Sequence, residues 1–362
     1  MRIAEIRRRR LFRQQLASPR FTKAGELVQW MGAVQAQDLP GARWAMGLRL
    51  RSASESDIED AVVARTIVRT WPMRGTLHYV PAADARWMLR LLTPRVLARS
   101  AGRYRELELD AKAFSRAARV LTRALAGRAL TRAEAYEALG RGGVSPEGQR
   151  GIHILGHLAQ EGLVCLGPRR GKQPTFVLLE EWLPRESRDP SREEALATLA
   201  ERYFASHGPA TLHDFAWWTG LLLKDAEAAV GAAGPKVVSE VHEGRRLFSS
   251  SGARPPRMGT RTLAFLLPAW DEYLVAYKDR GAALEAAPPL GDRAYAFGSP
   301  LVVIDGRARG SWRRTMAGAT VRVSVIFWDP VTRDEERAVA AAAERYGRFL
   351  GMAAEVASHV RR

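Results

Sequence analysis

The chain is 362 residues long, 46% hydrophobic, and carries a formal net charge of +17 with a pI near 10.8. That length exceeds a typical single core and predicts two to four compact units. No apolar run approaches the roughly 20 residues needed to span a bilayer, and the basic start has no apolar stretch behind it, so neither a transmembrane helix nor a signal peptide is expected.

Cys165 is the one cysteine, which allows no internal disulfide and fits a reducing bacterial cytosol. The 39 acidic residues set against 56 basic ones describe a folded body with surplus positive surface, whose partner is a polyanion. DNA or RNA fits better than a membrane, because no polybasic run flanks an amphipathic apolar stripe.

Residues 6–16 read as a basic amphipathic helix and residues 22–34 as a second, with Leu27, Trp30, Met31 and Val34 along one buried face. Ser56-Asp57-Ile58-Glu59 has the capping-box pattern and opens a short helix. The β-rich runs 66–71 and 76–80, joined through Pro72 and Gly75, form a hairpin. Helix, helix, helix, hairpin is the order of a winged helix. Residues 82–92 are helical and are ended or kinked at Thr93-Pro94.

The order then returns. A helix over 113–126 leads to a capping box at Thr131-Arg132-Ala133-Glu134. Ser145-Pro146 supplies an N-cap and first helical residue for a helix running to Gly162. Strands 163–166 and 175–179 follow, joined by a basic wing at 167–172. A third copy starts at the capping box Ser191-Arg192-Glu193-Glu194, with Thr211 capping the next helix and a hairpin around Gly244. Beyond a linker at 254–257 come strands over 262–267, 301–304, 308–314 and 321–327, a loop at 288–291, a turn at Asp305-Gly306 and a closing helix over 334–349. The expected class is α+β: three tandem winged-helix units over 1–95, 96–185 and 186–252, then a β-barrel-like domain over 258–362.

The stretch Val34-Gln35-Ala36-Gln37-Asp38-Leu39-Pro40 departs from this pattern. Leu39 precedes proline and so marks the end of the second helix, with the chain already extended through Ala36. In an extended segment residues two apart share one side, which lets both amides face one cavity. Walker, Rossmann and Gly-x-Ser-x-Gly patterns are absent, so nucleotide-driven, hydride-transfer and α/β-hydrolase chemistries lack support. His153 and His157 stand at a spacing a metal uses, but no cysteine or carboxylate joins them at ligand spacing, so no metal and no cofactor are expected. Nothing around Lys278 marks an activated amine.

Gln35-Ala36-Gln37-Asp38 followed by Ala42-Arg43-Trp44-Ala45 resembles the signature of the AlkZ-type winged-helix DNA glycosylases. Arg74-Gly75-Thr76-Leu77-His78-Tyr79-Val80-Pro81, Leu267-Pro268-Ala269-Trp270-Asp271-Glu272-Tyr273-Leu274 and Gly310-Ser311-Trp312-Arg313-Arg314 carry the likeness across almost the whole chain. The tandem reading leans partly on this resemblance. It implies excision of bulky N7-alkylpurines and unhooking of interstrand crosslinks, as self-resistance or base excision repair, and it places the catalytic motif at Gln35, Ala36 and Gln37. A related branch carries Asp in place of the second Gln, and this chain does not, which favours the branch linked to natural-product resistance.

An amide does not titrate near neutrality, so neither glutamine is a general acid or base. It can hold a water. That is sufficient when the leaving group is already cationic, as in N7-alkylguanine, which departs neutral without protonation. Gln35 and Gln37 are therefore the expected catalytic pair, orienting water and deoxyribose, with Asp38 and Asp271 in support. For Asp271, Arg313 and Arg314 a fold-holding contact is at least as expected. Expected DNA contacts are Arg43, Gln149, Arg150, Arg169, Arg170, Lys172, Arg313 and Arg314, mostly phosphate-facing and sequence-tolerant. The whole reading is a monofunctional, cofactor-free DNA glycosylase acting as a cytoplasmic monomer on double-stranded DNA, nucleoid-associated when bound. The rival is a non-enzymatic winged-helix regulator, which would more often be a dimer.

Overall fold

The computed structural model describes residues 2–183, 189–251, 261–284 and 298–360. The linker expected at 254–257 and the loop at 288–291 lie outside these residues. The chain divides into two units, one made of Met1–Ile58 with Leu196–Arg362 and the other of Glu59–Ala195. The four segments drawn from the sequence do not coincide with these units, because residue patterns report the order of elements and not which distant faces pack together.

In the unit Glu59–Ala195, strands lie side by side in the order Thr76–Pro81, Ile67–Met73, Val164–Arg170, Gln173–Leu178, Leu130–Thr131. The expected hairpins are present, with Val68 opposite Val80 and Cys165 opposite Val177. Between them run helices Ala111–Leu125, Arg132–Arg141 and Arg150–Gln160, whose apolar stripes meet in a core containing Phe114, Leu121, Leu139, Ile154, Leu158 and Phe176. The Thr131 capping box forms with both reciprocal hydrogen bonds.

Two boundaries differ from expectation. Pro94 neither ends nor delimits its helix, which runs from Ala85 to Glu106. A proline removes one donor, but apolar burial of Trp87, Met88, Leu89 and Leu92 holds the helix before it, and Thr93 Oγ1 lies 2.8 and 3.0 Å from the Leu89 and Gln160 carbonyls, which share its one hydrogen. Ser145-Pro146 does not open the next helix. That helix starts at Arg150, after Gln149 in a left-handed conformation with φ 72°.

In the other unit, α1 (Ile3–Arg13), α2 (Ala24–Met31) and α3 (Leu39–Gly47) belong with the C-terminal half. The capping box ahead of helix Glu55–Val63 is made by Ser54 and Asp57 instead of Ser56 and Glu59: Ser54 N–H donates to Asp57 Oδ2 at 2.7 Å and Asp57 N–H to Ser54 Oγ at 3.3 Å. The Thr211 box forms as expected, and hairpin Val237–His242 with Arg245–Ser250 turns at Gly244. The C-terminal strands run in the order Ala353–Val360, Thr320–Phe327, Arg307–Ala317, Leu301–Ile304, Ala264–Leu267. The two ends are not paired among the described strands, so the sheet is open and not a closed barrel. Its outer strand Ala353–Val360 is parallel to its neighbour and almost wholly exposed, which leaves no period-2 apolar face to read in sequence. Among the described residues no helix is long and apolar enough to cross a membrane.

The aromatic core of this unit ties α3 to the sheet. Trp44 packs against Tyr346 and Phe349 at centroid distances of 4.8 and 5.2 Å and donates its indole N–H to the Leu266 carbonyl at 2.7 Å. Just beyond α3, Arg49 is fully buried and holds Asp271 through two hydrogen bonds of 2.8 and 2.7 Å. Its Nη2 also donates to Gln14 Oε1 at 2.8 Å, so one guanidinium joins the end of α1, the end of α3 and the segment after the strand Ala264–Leu267. A bidentate pair in such a setting adds little net stability but is costly to break, since the remaining charge stays buried. Asp271→Asn is expected to destabilise by about 3–5 kcal/mol, read as a lowered denaturation midpoint at constant m-value. Trp44→Ala is expected to cost about 3–5 kcal/mol, and Trp44→Phe less.

Candidate active site

The Gln-x-Gln segment is positioned by the way α2 stops. The helix ends at Met31, earlier than the expected Val34, because Gly32 takes φ 79° and turns the chain. A side chain there would also meet Trp218, since an added Cβ lies 3.2 Å from its ring. Val34 and Gln35 are then extended, with Ala33, Val34 and Ala36 buried. Leu39-Pro40 starts α3 where an end had been expected, because proline in the first turn of a helix gives up only a donor that has no intrahelical partner.

The extended backbone is held from below by Glu272. Gln35 N–H donates to Glu272 Oε1 at 2.7 Å, and Trp218 donates its indole N–H to Oε2 at 3.0 Å. Glu272 is fully buried and opens the single-turn helix Glu272–Val275, which Asp271 caps by accepting the Tyr273 N–H at 2.8 Å. Asp271 is in turn the partner of Arg49. Gln14 closes the ring, donating to Tyr277 Oη at 3.0 Å and to the Glu272 carbonyl at 3.4 Å, while Tyr277 Oη donates to the His207 carbonyl at 2.7 Å. His207 Nε2 lies 3.6 Å from Glu272 Oε2, and burial, the largest influence on it, keeps this imidazole below its ordinary pKa.

Gln35 is buried and Gln37 is exposed. The two residues therefore differ in burial, where the sequence pattern has both amides facing one cavity. Asp38 is half-buried at the N-cap position of α3, where it makes no side-chain capping bond; its carboxylate lies over Gly41, whose added Cβ would fall 2.4 Å from Oδ2. That puts negative charge at the positive end of α3.

The expected phosphate contacts separate by exposure. Arg43 is buried with its guanidinium 2.8 Å from Glu55, so it holds the fold and is not a surface cation. Asp271 likewise serves the buried brace. Arg314 is half-buried against the Tyr346 hydroxyl, whereas Arg313, its neighbour on the strand, is exposed. Arg150 is half-buried and donates to the Ser145 carbonyl at 3.1 Å and to the Leu107 carbonyl; exposed Gln149 accepts from Arg103 at 2.8 Å. In the wing, Arg169 is half-buried 3.3 Å from Glu59, Arg170 is exposed 2.6 Å from Glu134, and Lys172 is exposed. His157 stacks on Phe114 at 3.6 Å and lies 3.3 Å from Glu161, a packing role. Among the described residues no group of three or more His, Cys, Asp or Glu is placed to hold a metal.

Glu272, Arg49, Gln14 and His207 were not singled out from sequence. The available signal was the acidic pair Asp271-Glu272 set directly after the apolar strand, since adjacent buried carboxylates require partners.

The chain is 28% identical over 331 residues to an interstrand DNA cross-link repair glycosylase of Streptomyces sahachiroi, a match covering 84% of this chain and 85% of that protein. Its fold superposes on the solved structure of Streptomyces sahachiroi DNA glycosylase AlkZ with a TM-score of 0.77 at 24% identity, over 99% of both chains. The family model described as DNA glycosylase AlkZ-like matches residues 28–349, and the chain belongs to that family.

Proposed function

We propose that this protein hydrolyses the N-glycosidic bond of bulky N7-alkylguanine lesions in double-stranded DNA and unhooks interstrand crosslinks built from them. The observation that carries the reading is the Gln-x-Gln segment itself. It is extended, anchored through the Gln35 N–H to a buried carboxylate, and offers Gln37 to solvent. The cross-link repair activity named for the Streptomyces relative agrees with it.

The chemistry asks little of the protein in proton transfer. N7 alkylation makes the base a cation, so breaking its bond to the sugar releases a neutral molecule and leaves positive charge on the deoxyribose. The carbonyl oxygen of Gln37 orients the attacking water, and the amide dipoles face the oxocarbenium-like sugar. Asp38 adds negative potential nearby. Such an enzyme is monofunctional, with water as nucleophile and no lysine Schiff base.

Tandem winged helices are the DNA-binding frame in this reading. Helix Ala111–Leu125, strand Leu130–Thr131, helices Arg132–Arg141 and Arg150–Gln160, then two strands with a basic tip, is the order of such a module. Residues 192–250 repeat it: helix Arg192–Ser206, the bridge between Ala210 and Phe248, two helices and a hairpin. Exposed Arg170, Lys172 and Arg313 contact phosphates, and the protein acts as a monomer in the bacterial cytoplasm.

With duplex DNA carrying an N7-alkylguanine, the wild type is expected to release free modified base and leave an abasic site over more than one turnover. Gln37→Ala is expected to lower the single-turnover rate by about 100-fold with lesion affinity little changed, and Gln35→Ala to lower it as well. Intact lesion in the wild-type reaction, or tight binding to a defined operator without base release, would favour a regulator. Affinity is expected to fall steeply with salt, and Lys172→Ala to reduce the log–log slope by about 1 without changing sequence preference.

A further inference from the structure

A chain of hydrogen bonds under Gln35 fixes where protons sit. Ser206 Oγ lies 2.6 Å from the Arg202 carbonyl and 2.8 Å from His207 Nδ1. A hydroxyl has one hydrogen, and the carbonyl can only accept it, so His207 Nδ1 is the donor to Ser206. His207 Nε2 is then the nitrogen that faces Glu272 Oε2 at 3.6 Å, and it makes no hydrogen bond to the described residues. A bare ring nitrogen set against a carboxylate oxygen is repelled by it. One proton therefore belongs to the pair, on the imidazole or on the carboxyl, and either placement makes Glu272 with His207 neutral as a whole.

Neutrality is what this interior requires. Arg49 and Asp271 already cancel one another, and both Glu272 and His207 are 0% exposed. An additional uncompensated charge there is costly. The groups facing His207 from the surrounding elements are Tyr203 in parallel stacking at 4.9 Å, Trp218 at 5.4 Å and Tyr277 at 6.3 Å, with Arg49 contributing positive potential. Asp214 and Arg10 act on the two tyrosines. Burial pushes the Tyr277 hydroxyl up to about 12 and the Tyr203 hydroxyl well above its ordinary range, so both are neutral at ordinary pH.

We propose that Glu272, sharing one proton with His207, is the positioning residue of the Gln-x-Gln segment: it accepts the Gln35 N–H and thereby sets the backbone from which both glutamines project. This rests on the glycosylase reading above. Glu272 does not touch the lesion, and it acts through Gln35. In either protonation arrangement Oε1 accepts from Gln35 and Oε2 accepts from Trp218. Loss of the shared proton leaves a net buried negative charge and loosens the segment.

The test compares Glu272→Gln with Glu272→Leu on an N7-alkylguanine duplex, using single-turnover rate against pH corrected for uncatalysed release, lesion affinity, and amide hydrogen exchange over residues 33–37. Gln keeps an acceptor for Gln35 and donates to His207 Nε2 while giving up the acceptor for the Trp218 N–H, and it carries no titratable proton. It is expected to stay within about tenfold of the wild-type rate near neutrality and to lack the fall in rate with rising pH that loss of the shared proton predicts for the wild type. Leu is expected to lose about 100-fold in rate with affinity within about threefold, and to exchange faster over 33–37. Wild-type rate and exchange in Glu272→Leu would overturn the assignment. So would an alkaline limb retained in Glu272→Gln, a result that does not depend on whether the Leu variant folds. If the wild type releases no modified base, the glycosylase reading fails and Glu272's positioning role in catalysis with it, while the exchange data still report whether the anchor exists.

Discussion

The buried ion pair between Arg49 and Asp271 sets the register of everything around the Gln-x-Gln segment. Its two hydrogen bonds fix the residue before Glu272, and the cap that Asp271 places on the Tyr273 N–H aims the short helix. Glu272 then lies under Gln35 at hydrogen-bonding distance. Replacing such a pair with apolar groups of equal volume is often neutral or stabilising, so its use here is geometric. It holds residues separated by more than 200 positions in one arrangement that apolar packing alone leaves less defined.

The same logic accounts for amides at the candidate centre. A carboxylate beside the sugar cation would stabilise it more strongly, yet in a partly buried setting a carboxylate also pays a desolvation cost and titrates. Uncharged Gln35 tolerates burial next to Glu272, where a second acid would face a like charge. Gln37, at the exposed end of the same segment, is free of that constraint and meets solvent. The chemistry suits lesions that carry their own positive charge and so depart without an acid.

Much of the architecture was legible in the chain. The Thr131, Ser191 and Thr211 capping boxes, the hairpins and the Asp305-Gly306 turn are local, and local hydrogen bonding decides them. The end of α2 and the start of α3 are not legible because Leu39-Pro40 has the pattern of a stop, whereas Gly32 already turns the chain and the proline occupies a first turn. Of the two outcomes Thr93-Pro94 allows, an end or a kink, the helix does not end there, and the apolar face packed just before it is a tertiary reason. Within the candidate site the Gln-x-Gln residues stand out as polar groups breaking an apolar pattern. Their support does not, since Arg49 reads as one of fifty arginines and Glu272 gives no sign of its partners in Gln35, Trp218 and His207. Nor does sequence separate Arg43, turned inward to Glu55, from Arg313, which is exposed.

The most direct measurement is the rate of base release from matched duplexes that differ only in whether the modified purine is cationic, such as N7-alkylguanine against its neutral O6-alkyl isomer. Release from the cationic lesion alone is the expected result, because two amides and a held water supply no proton to a neutral leaving group. Comparable release from the neutral lesion would contradict it and would require an acid that the Gln-x-Gln segment does not contain.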